Sequence, residues 1–471
     1  MDPQSDTTAR FARSTGAATF SQLWRVGVMF VTQIVLMRLI APPDWGLFEW
    51  TLALFMILGA VRDLGLVYHV VRVQPRPYGN LLAVELVWGG VLAAAAFAGV
   101  GVLALGFSES HESVAPVLRL FCLVLLLEGV AAVPKVYFDA ELEVGRTVLP
   151  EILRNLTFAA TAVVLALQGY GVWSLVVAQV ACSFVYAAHL WLRAYKTMPL
   201  HWEAGATWEL LRHSLPLATI WFLAILIQRI DPLILGTQFT RETVGLYTRA
   251  YFFAFLVRAI LVPAVGRTLY PALVAYATNP PRLLEAYRLA TLLVVAVEIT
   301  GGYFLFLNAE AALRLVGGEV WVSAAPYLKV LALAPLIDPF TRLGGEVLKV
   351  YRRDRLWIVA SALTLAAFVA CGFAFTARWG AIGMAWANYL PLGGVLMTWG
   401  LYRIAPRPVR VLARDLLVVY LVPIPLFAIT FVLAGDRIWL RFGLSAAAAL
   451  IVLGFYARRF GAPFREFFRQ V

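Results

Sequence analysis

The sequence predicts an all-α polytopic membrane protein: about 14 transmembrane helices, arranged as two parallel, pseudo-symmetric six-helix halves plus two C-terminal helices. Three observations predict it. Of 471 residues, 62% are hydrophobic and only 14% charged, with a mean hydropathy of +0.81. A soluble domain cannot hide that much apolar surface, so the bilayer is the solvent for most of the chain. Apolar runs of spanning length recur from one end to the other, and a polar corner in the first half returns roughly 200 residues later.

Composition also excludes several functions. The formal net charge is +12, but the bases lie in short blocks between apolar runs. That is the pattern of membrane topology rather than of nucleic-acid binding. Cys122, Cys182 and Cys371 fall inside apolar runs, and the five histidines are scattered. The expectation is therefore no disulfide framework, no metal and no cofactor. The N-terminus is polar to about residue 16, with no small-residue cleavage site after the first apolar run, so that run reads as a retained span that also serves as the targeting signal.

A window of about 20 apolar residues places spans 1–6 near 17–40, 47–70, 81–106, 115–135, 148–168 and 171–193. Spans 7–12 follow near 213–236, 244–268, 283–307, 322–347, 355–376 and 379–403, and spans 13 and 14 near 411–433 and 437–458. Alternate connections are basic: Arg72 and Arg76, Lys135 and Arg146, Arg193 with Lys196 and Arg212, then Lys349 to Arg355 and Arg403 to Arg414. Roughly 23 bases on this side against about 6 on the other put both termini in the cytoplasm. The connection 200–212, with Trp202 and Trp208 among charges, reads as a short interfacial helix and hinge linker. The basic tail from Arg458 to Arg469 reads as resting on anionic membrane lipids.

The repeat sets the domain organisation. Pro42-Pro43-Asp44-Trp45-Gly46-Leu47-Phe48 reads as a tight turn between spans 1 and 2, and Thr240 to Tyr247 repeats it between spans 7 and 8. Ala115-Pro116 with Glu128 matches Ala325-Pro326 with Asp338, and Gly171-Val172-Trp173 matches Gly380-Ala381-Ile382. The predicted divisions are an N-terminal half at 1–200, a C-terminal half at 201–405, and 406–471 with spans 13, 14 and the tail. Because each half has an even number of spans, the halves run parallel, with an expected central cavity and alternating access between them.

These same stretches resemble a known family. Arg38 to Phe48 is similar to the "RLLSPEDFGLF" hairpin of bacterial polysaccharide flippases, Asp63-Leu64-Gly65-Leu66 to their "DLGL", and Asp231-Pro232 through Tyr247 to their span 7–8 hairpin. Pro43 stands where the family carries an acid or serine. These flippases belong to the multidrug/oligosaccharidyl-lipid/polysaccharide exporter superfamily. The resemblance implies a non-enzymatic transporter in the bacterial inner membrane. Its implied cargo is a lipid-linked oligosaccharide on an undecaprenyl diphosphate carrier, moved from the cytoplasmic to the periplasmic leaflet by alternating access; coupling to a cation gradient is expected from the midspan acids Glu128 and Asp338. Polysaccharide polymerase or ligase machinery is the implied partner.

Charges at membrane depth are expensive and mark function by default. Arg25 and Gln33 share a polar stripe of span 1; Arg62, Arg229 and Arg258 lie in spans 2, 7 and 8. These five form the expected substrate-binding cavity, set against snorkelling for Arg25 and a buried ion pair for Arg258. Glu128, Asp231 and Asp338 are the expected coupling and gating acids, set against simple neutralisation of nearby arginines, with Glu298 ranked below them. Asp231 precedes Pro232, where a break in the helix is expected. Glu151 and Arg154, three residues apart, are expected to pair with each other. Two other functions compete. A multidrug or cation antiporter of the same superfamily calls for an acidic cavity and 12 spans. A membrane glycosyltransferase or ligase calls for a large extramembrane loop, whereas the outer connections here are short.

Overall fold

The computed structural model describes residue 24 and residues 26–469, apart from 71–75, 106, 108–110, 144, 335–340, 352–353, 391 and 405. Among the described residues the chain is helical and contains no strand, and eleven helices are long and apolar enough to cross a membrane. The other three predicted spans coincide with shorter helices. Span 1 is α1 (Val26–Leu39). Span 10 contains α12 (Ala325–Leu333) and α13 (Thr341–Val350), and span 12 contains α15 (Ile382–Ala387) and α16 (Leu392–Ile404).

In the N-terminal unit, Met1–Gly245, α2 (Pro42–Asp63) follows α1 after only Ile40 and Ala41. The expected turn at Pro42–Phe48 is in fact the first two turns of this helix. Ala41 is the extended N-cap, Pro42 occupies the first helical position, where its missing N–H is not needed, and Asp44 sits in the acid-favouring first turn. Asp44 also accepts a hydrogen bond from the Val172 N–H, so it satisfies the start of α8 (Val172–Ala194) as well. Span 2 ends early. Leu64 and Gly65 take positive φ, and α3 (Leu66–Val70) restarts with Asp63 accepting from the Val67 N–H. The "DLGL" stretch is thus a helix break with its own cap.

The other N-terminal helices are α4 (Tyr78–Ala98), α5 (Val100–Leu105), α6 (His111–Ala140), α7 (Gly145–Leu167) and α9 (Ala204–Gln238). Their core gathers Leu66, Leu81, Val133, Phe138, Leu190 and Leu210. Two expectations are corrected here. The 200–212 stretch is no separate interfacial helix, because residues 204–212 are the first turns of α9. It is also fastened. The Asn80 amide donates to the Glu203 carbonyl (2.5 Å) and the Thr207 hydroxyl (2.7 Å), and its oxygen accepts from the Glu203 N–H (3.3 Å). And α9 runs unbroken through Pro232, so the expected break there is absent.

The two repeated corners meet inside this unit. A Cβ on Gly46 would run into the carbonyl oxygen of Arg241, and one on Gly245 into that of Pro42; each would also lie within 3.0 Å of the other glycine's nitrogen. The starts of α2 and of α10 (Arg241–Ala275) therefore cross backbone to backbone, at the one residue type that permits it. Thr240, whose hydroxyl accepts from the Thr243 N–H (3.4 Å), caps α10.

The C-terminal unit, Leu246–Val471, is built on α11 (Pro280–Gly317), 38 residues long. At about 57 Å it exceeds the hydrocarbon core, and it kinks at Asn308. Against it pack α17 (Pro406–Leu421), α18 (Pro423–Ala434) and α19 (Ile438–Arg469). Their core includes Leu283, Tyr287, Leu292, Leu412, Val419 and Tyr456. The remaining long helix is α14 (Asp354–Trp379). Repeat similarity and packing divide the chain at different places, since α9 packs with the N-terminal unit.

Candidate functional site

Each unit holds a sealed ion pair, between spans 2 and 3 in the first and between spans 8 and 9 in the second. In the N-terminal unit Arg62 on α2 lies 2.9 Å from Glu85 on α4, with side chains 9% and 0% exposed, and donates to the Leu125 carbonyl of α6 at 2.7 Å. Gly129 makes room, since a Cβ there would stand 2.9 Å from the Glu85 carboxylate. In the C-terminal unit Arg258 on α10 donates to Glu298 on α11 at 3.2 Å, with side chains 7% and 4% exposed, and lies over the Phe255 ring. Spans 2 and 3 thus repeat their ion pair in spans 8 and 9. Both arginines were expected in a substrate cavity, and both sit in buried pairs with acids. A buried pair holds helices together, and removing one partner strands the other charge at a cost of about 3–5 kcal/mol. Arg62→Ala is accordingly expected to lower the melting temperature in detergent more than the double variant R62A/E85A does. A double variant less stable than R62A would refute the stranded-charge account.

A third ion pair is open. Glu128 lies mid-way along α6 and Arg154 in the third turn of α7. The ends of these helices joined by residues 141–144 place the two at about 18 Å and about 14 Å along their axes, at similar depth. Arg154 grips Glu128 through both terminal nitrogens (2.7 and 3.2 Å), and the Ser183 hydroxyl of α8 adds a third bond to the same carboxylate at 2.7 Å. The guanidinium lies 4.9 Å from the centre of the Tyr186 ring. The expected Glu151–Arg154 pairing is therefore corrected. Helix α8 packs on both α6 and α7 and brings the longer-range acid into reach, where the bidentate fork outcompetes a neighbour on the same helix. Unlike the sealed pairs, Arg154 and Glu128 keep 31% and 28% of their side chains accessible. Charges at this depth in a membrane protein as a rule face the bundle interior or a water-filled cavity rather than hydrocarbon.

The remaining predicted residues scatter around this arrangement. Arg229 lies 4.0 Å from Glu49 of α2, with 35% of its side chain exposed, and Asp231 is buried beside it in sequence. Gln33 is half-buried on α1. Arg25 and Asp338 fall outside the described residues. Sequence reasoning missed Arg154, Ser183 and Tyr186 as one cluster; the usable signal was the similar depth of Glu128 and Arg154 on consecutive antiparallel spans. In the C-terminal unit an apolar cleft of about 480 Å³ opens between α11 and α19, lined by Leu289, Leu293, Val297, Leu453 and Phe460. It suits a hydrocarbon chain and not a sugar.

Residues 35–326 match the family described as polysaccharide biosynthesis protein. The chain belongs to that family. A relative within reach of sequence comparison is the succinoglycan biosynthesis transport protein ExoT of Rhizobium meliloti (strain 1021), 22% identical over 328 residues. The match covers 68% of this chain and 65% of ExoT, slightly under two thirds of that protein's length. Among solved structures, the fold is similar to the lipid II flippase MurJ in an inward closed conformation: TM-score 0.77, 11% identity, 95% of this chain and 99% of MurJ covered. It is also similar to an inward-facing multidrug resistance MATE family transporter of the MOP superfamily: TM-score 0.67, 14% identity, 83% and 99% covered. This member of the polysaccharide biosynthesis protein family is thus a multi-pass membrane protein with the MOP transporter fold.

Proposed function

We propose that this chain is a flippase, not an enzyme, that carries a lipid-linked oligosaccharide from the cytoplasmic to the periplasmic leaflet of the bacterial inner membrane. The carrier is of the undecaprenyl diphosphate class, both termini lie in the cytoplasm, and the product feeds polymerase or ligase machinery for surface polysaccharide. The observation that carries this reading is the Arg154–Glu128 pair at mid-depth, partly accessible and bonded to the buried Ser183 hydroxyl. A diphosphate cannot cross hydrocarbon unaided, and a planar guanidinium is the side chain that binds it in a bidentate fork. Glu128 occupies that fork here.

Cation coupling follows from the same competition. A proton on Glu128 would remove the charge that holds Arg154 and leave the guanidinium to the substrate's diphosphate, which links proton and anion at one site. Asp338, at the repeat-equivalent position, is the second acid in this scheme; Arg25, Gln33 and Arg229 supply further cavity contacts, and Asp231 the gate. The apolar cleft between α11 and α19 accommodates part of the isoprenoid tail.

The test is deletion in the source organism followed by analysis of its lipid-linked oligosaccharides. Accumulation of one species on the cytoplasmic leaflet, with loss of the matching surface glycan, is the expected result. Intact surface glycan with no accumulation would overturn the proposal.

A further inference from the structure

The kink in α11 has a counterpart. Asn308 departs from helical geometry (φ −115°, ψ 20°) inside an otherwise continuous helix, and Gly99, between α4 and α5, departs in the same direction (φ −83°, ψ 8°). They are about 209 residues apart, the shift that relates Gly171 to Gly380. The third span of each repeat therefore bends at the same place. What surrounds the two bends differs. At Gly99 the backbone N–H bonds back to Ala95, and no side chain leaves the bend. At Asn308 the buried amide nitrogen donates to the Phe304 carbonyl (2.8 Å) and to the Ser445 hydroxyl of α19 (2.6 Å).

The C-terminal helices also grip α11 in the turn just before this bond. Tyr303 donates to the Tyr420 carbonyl at 3.4 Å and stacks on Phe427, and Phe304 meets Phe442 edge-on. Nearly two turns before the bend, α11 presents Gly302 to the carbonyl of Ala332 on α12 with no room for a Cβ. So the bend lies between a face fixed to the repeat and a face held by α17–α19, and these last helices have no equivalent in the first half. Asn308 Oδ1 is buried and has no hydrogen-bond partner among the described residues. The amide is thus only partly committed, as suits a bond exchanged between conformations rather than one locked in a full network.

We propose that Asn308 is a hinge in α11 and that its bond to Ser445 makes the C-terminal helices a latch on that hinge, so that the two repeats bend unequally: the Gly99 bend freely, the Asn308 bend under control of α19. This explains what the two spans outside the repeat, built from α17–α19, contribute, and it does not depend on the identity of the cargo.

Hydrogen–deuterium exchange of the full chain in lipid nanodiscs tests it. Ser445→Ala is expected to speed exchange in peptides covering 304–312 about fivefold or more, with peptides covering 241–263 and 78–105 unchanged. Ser445→Thr, which keeps the hydroxyl, is expected to stay within about twofold of wild type. Asn308→Gly makes the bend like its counterpart and is expected to reproduce the Ser445→Ala result, and it replaces that variant should Ser445→Ala not fold. Unchanged exchange at 304–312, or an equal rise across the C-terminal unit, overturns the proposal. So does failure of both variants to fold, which would assign the bond to folding and not to motion.

Discussion

Arg154→Ala is expected to lower export of the lipid-linked glycan at least about tenfold, the largest loss from any single change at the open cluster. Two effects act together. The cargo loses the guanidinium proposed to bind its diphosphate. Glu128, left with only the Ser183 hydroxyl at mid-depth, keeps a charge without a counter-ion. Arg154→Lys is expected to fall between wild type and alanine, because an ammonium retains the charge but cannot present two parallel N–H groups. Glu128→Gln separates the two effects. The amide oxygen can still accept from Ser183, while Arg154 is freed from its internal anion. Binding of the lipid-linked substrate should therefore tighten, and uptake by inverted vesicles should lose its dependence on an imposed pH gradient. The decisive measurement is that vesicle assay with and without the gradient: wild-type export by R154A, or full gradient dependence in E128Q, would remove this cluster from the mechanism.

Gly46→Val is expected to be the most damaging change at the repeated corner. Its Cβ would enter the space of the Arg241 carbonyl oxygen, and backbone cannot be moved aside as a flexible side chain can. Overpacking of this sort sits at or above the top of the usual range of about 1–3 kcal/mol. Gly245→Val should do the same from the other side, through Pro42. Both should reduce the yield of folded protein and its melting temperature in detergent, and Gly46→Ala should show the same effect in milder form because the clash begins at Cβ. Gly27→Ala, where no atom lies within 4 Å of the added carbon, is the control and should be neutral. If G46V melts as the wild type does, the crossing is not as close in the membrane as the geometry requires.

The candidate site was only half legible from the sequence, and the misses share a cause. Depth can be read by counting residues into an apolar run, so Arg62, Glu128 and Arg258 were all recognised as intramembrane charges. Which way each side chain faces, and what it meets, depends on helices that arrive from elsewhere in the chain. Arg62 is sealed because Glu85 comes from α4 and α6 offers a glycine opposite it; Arg258 is sealed because Glu298 comes from α11. Local rules misled most directly at Arg154. An acid three residues away is a good partner on an isolated helix, worth about 0.2–0.5 kcal/mol, but a bidentate carboxylate positioned by two other helices is worth more.

By itself the sequence determined the solvent, the helical class and the family. Each of these is written in one dimension, as apolar length, residue periodicity or a short motif. The Pro42–Phe48 corner belongs to this group, since its repeat at Thr240–Tyr247 could be found by reading alone. Only the tertiary structure decided that the corner glycines touch, that two expected cavity arginines are sealed while Glu128 and Arg154 stay open, and that Asn308 is fastened to Ser445. Those are contacts between residues tens to hundreds of positions apart. Inside a bilayer the hydrophobic effect does not choose among helix faces, because lipid and protein interior are equally apolar. Close packing and the pairing of a few charges make that choice, and both exist only once the helices have come together.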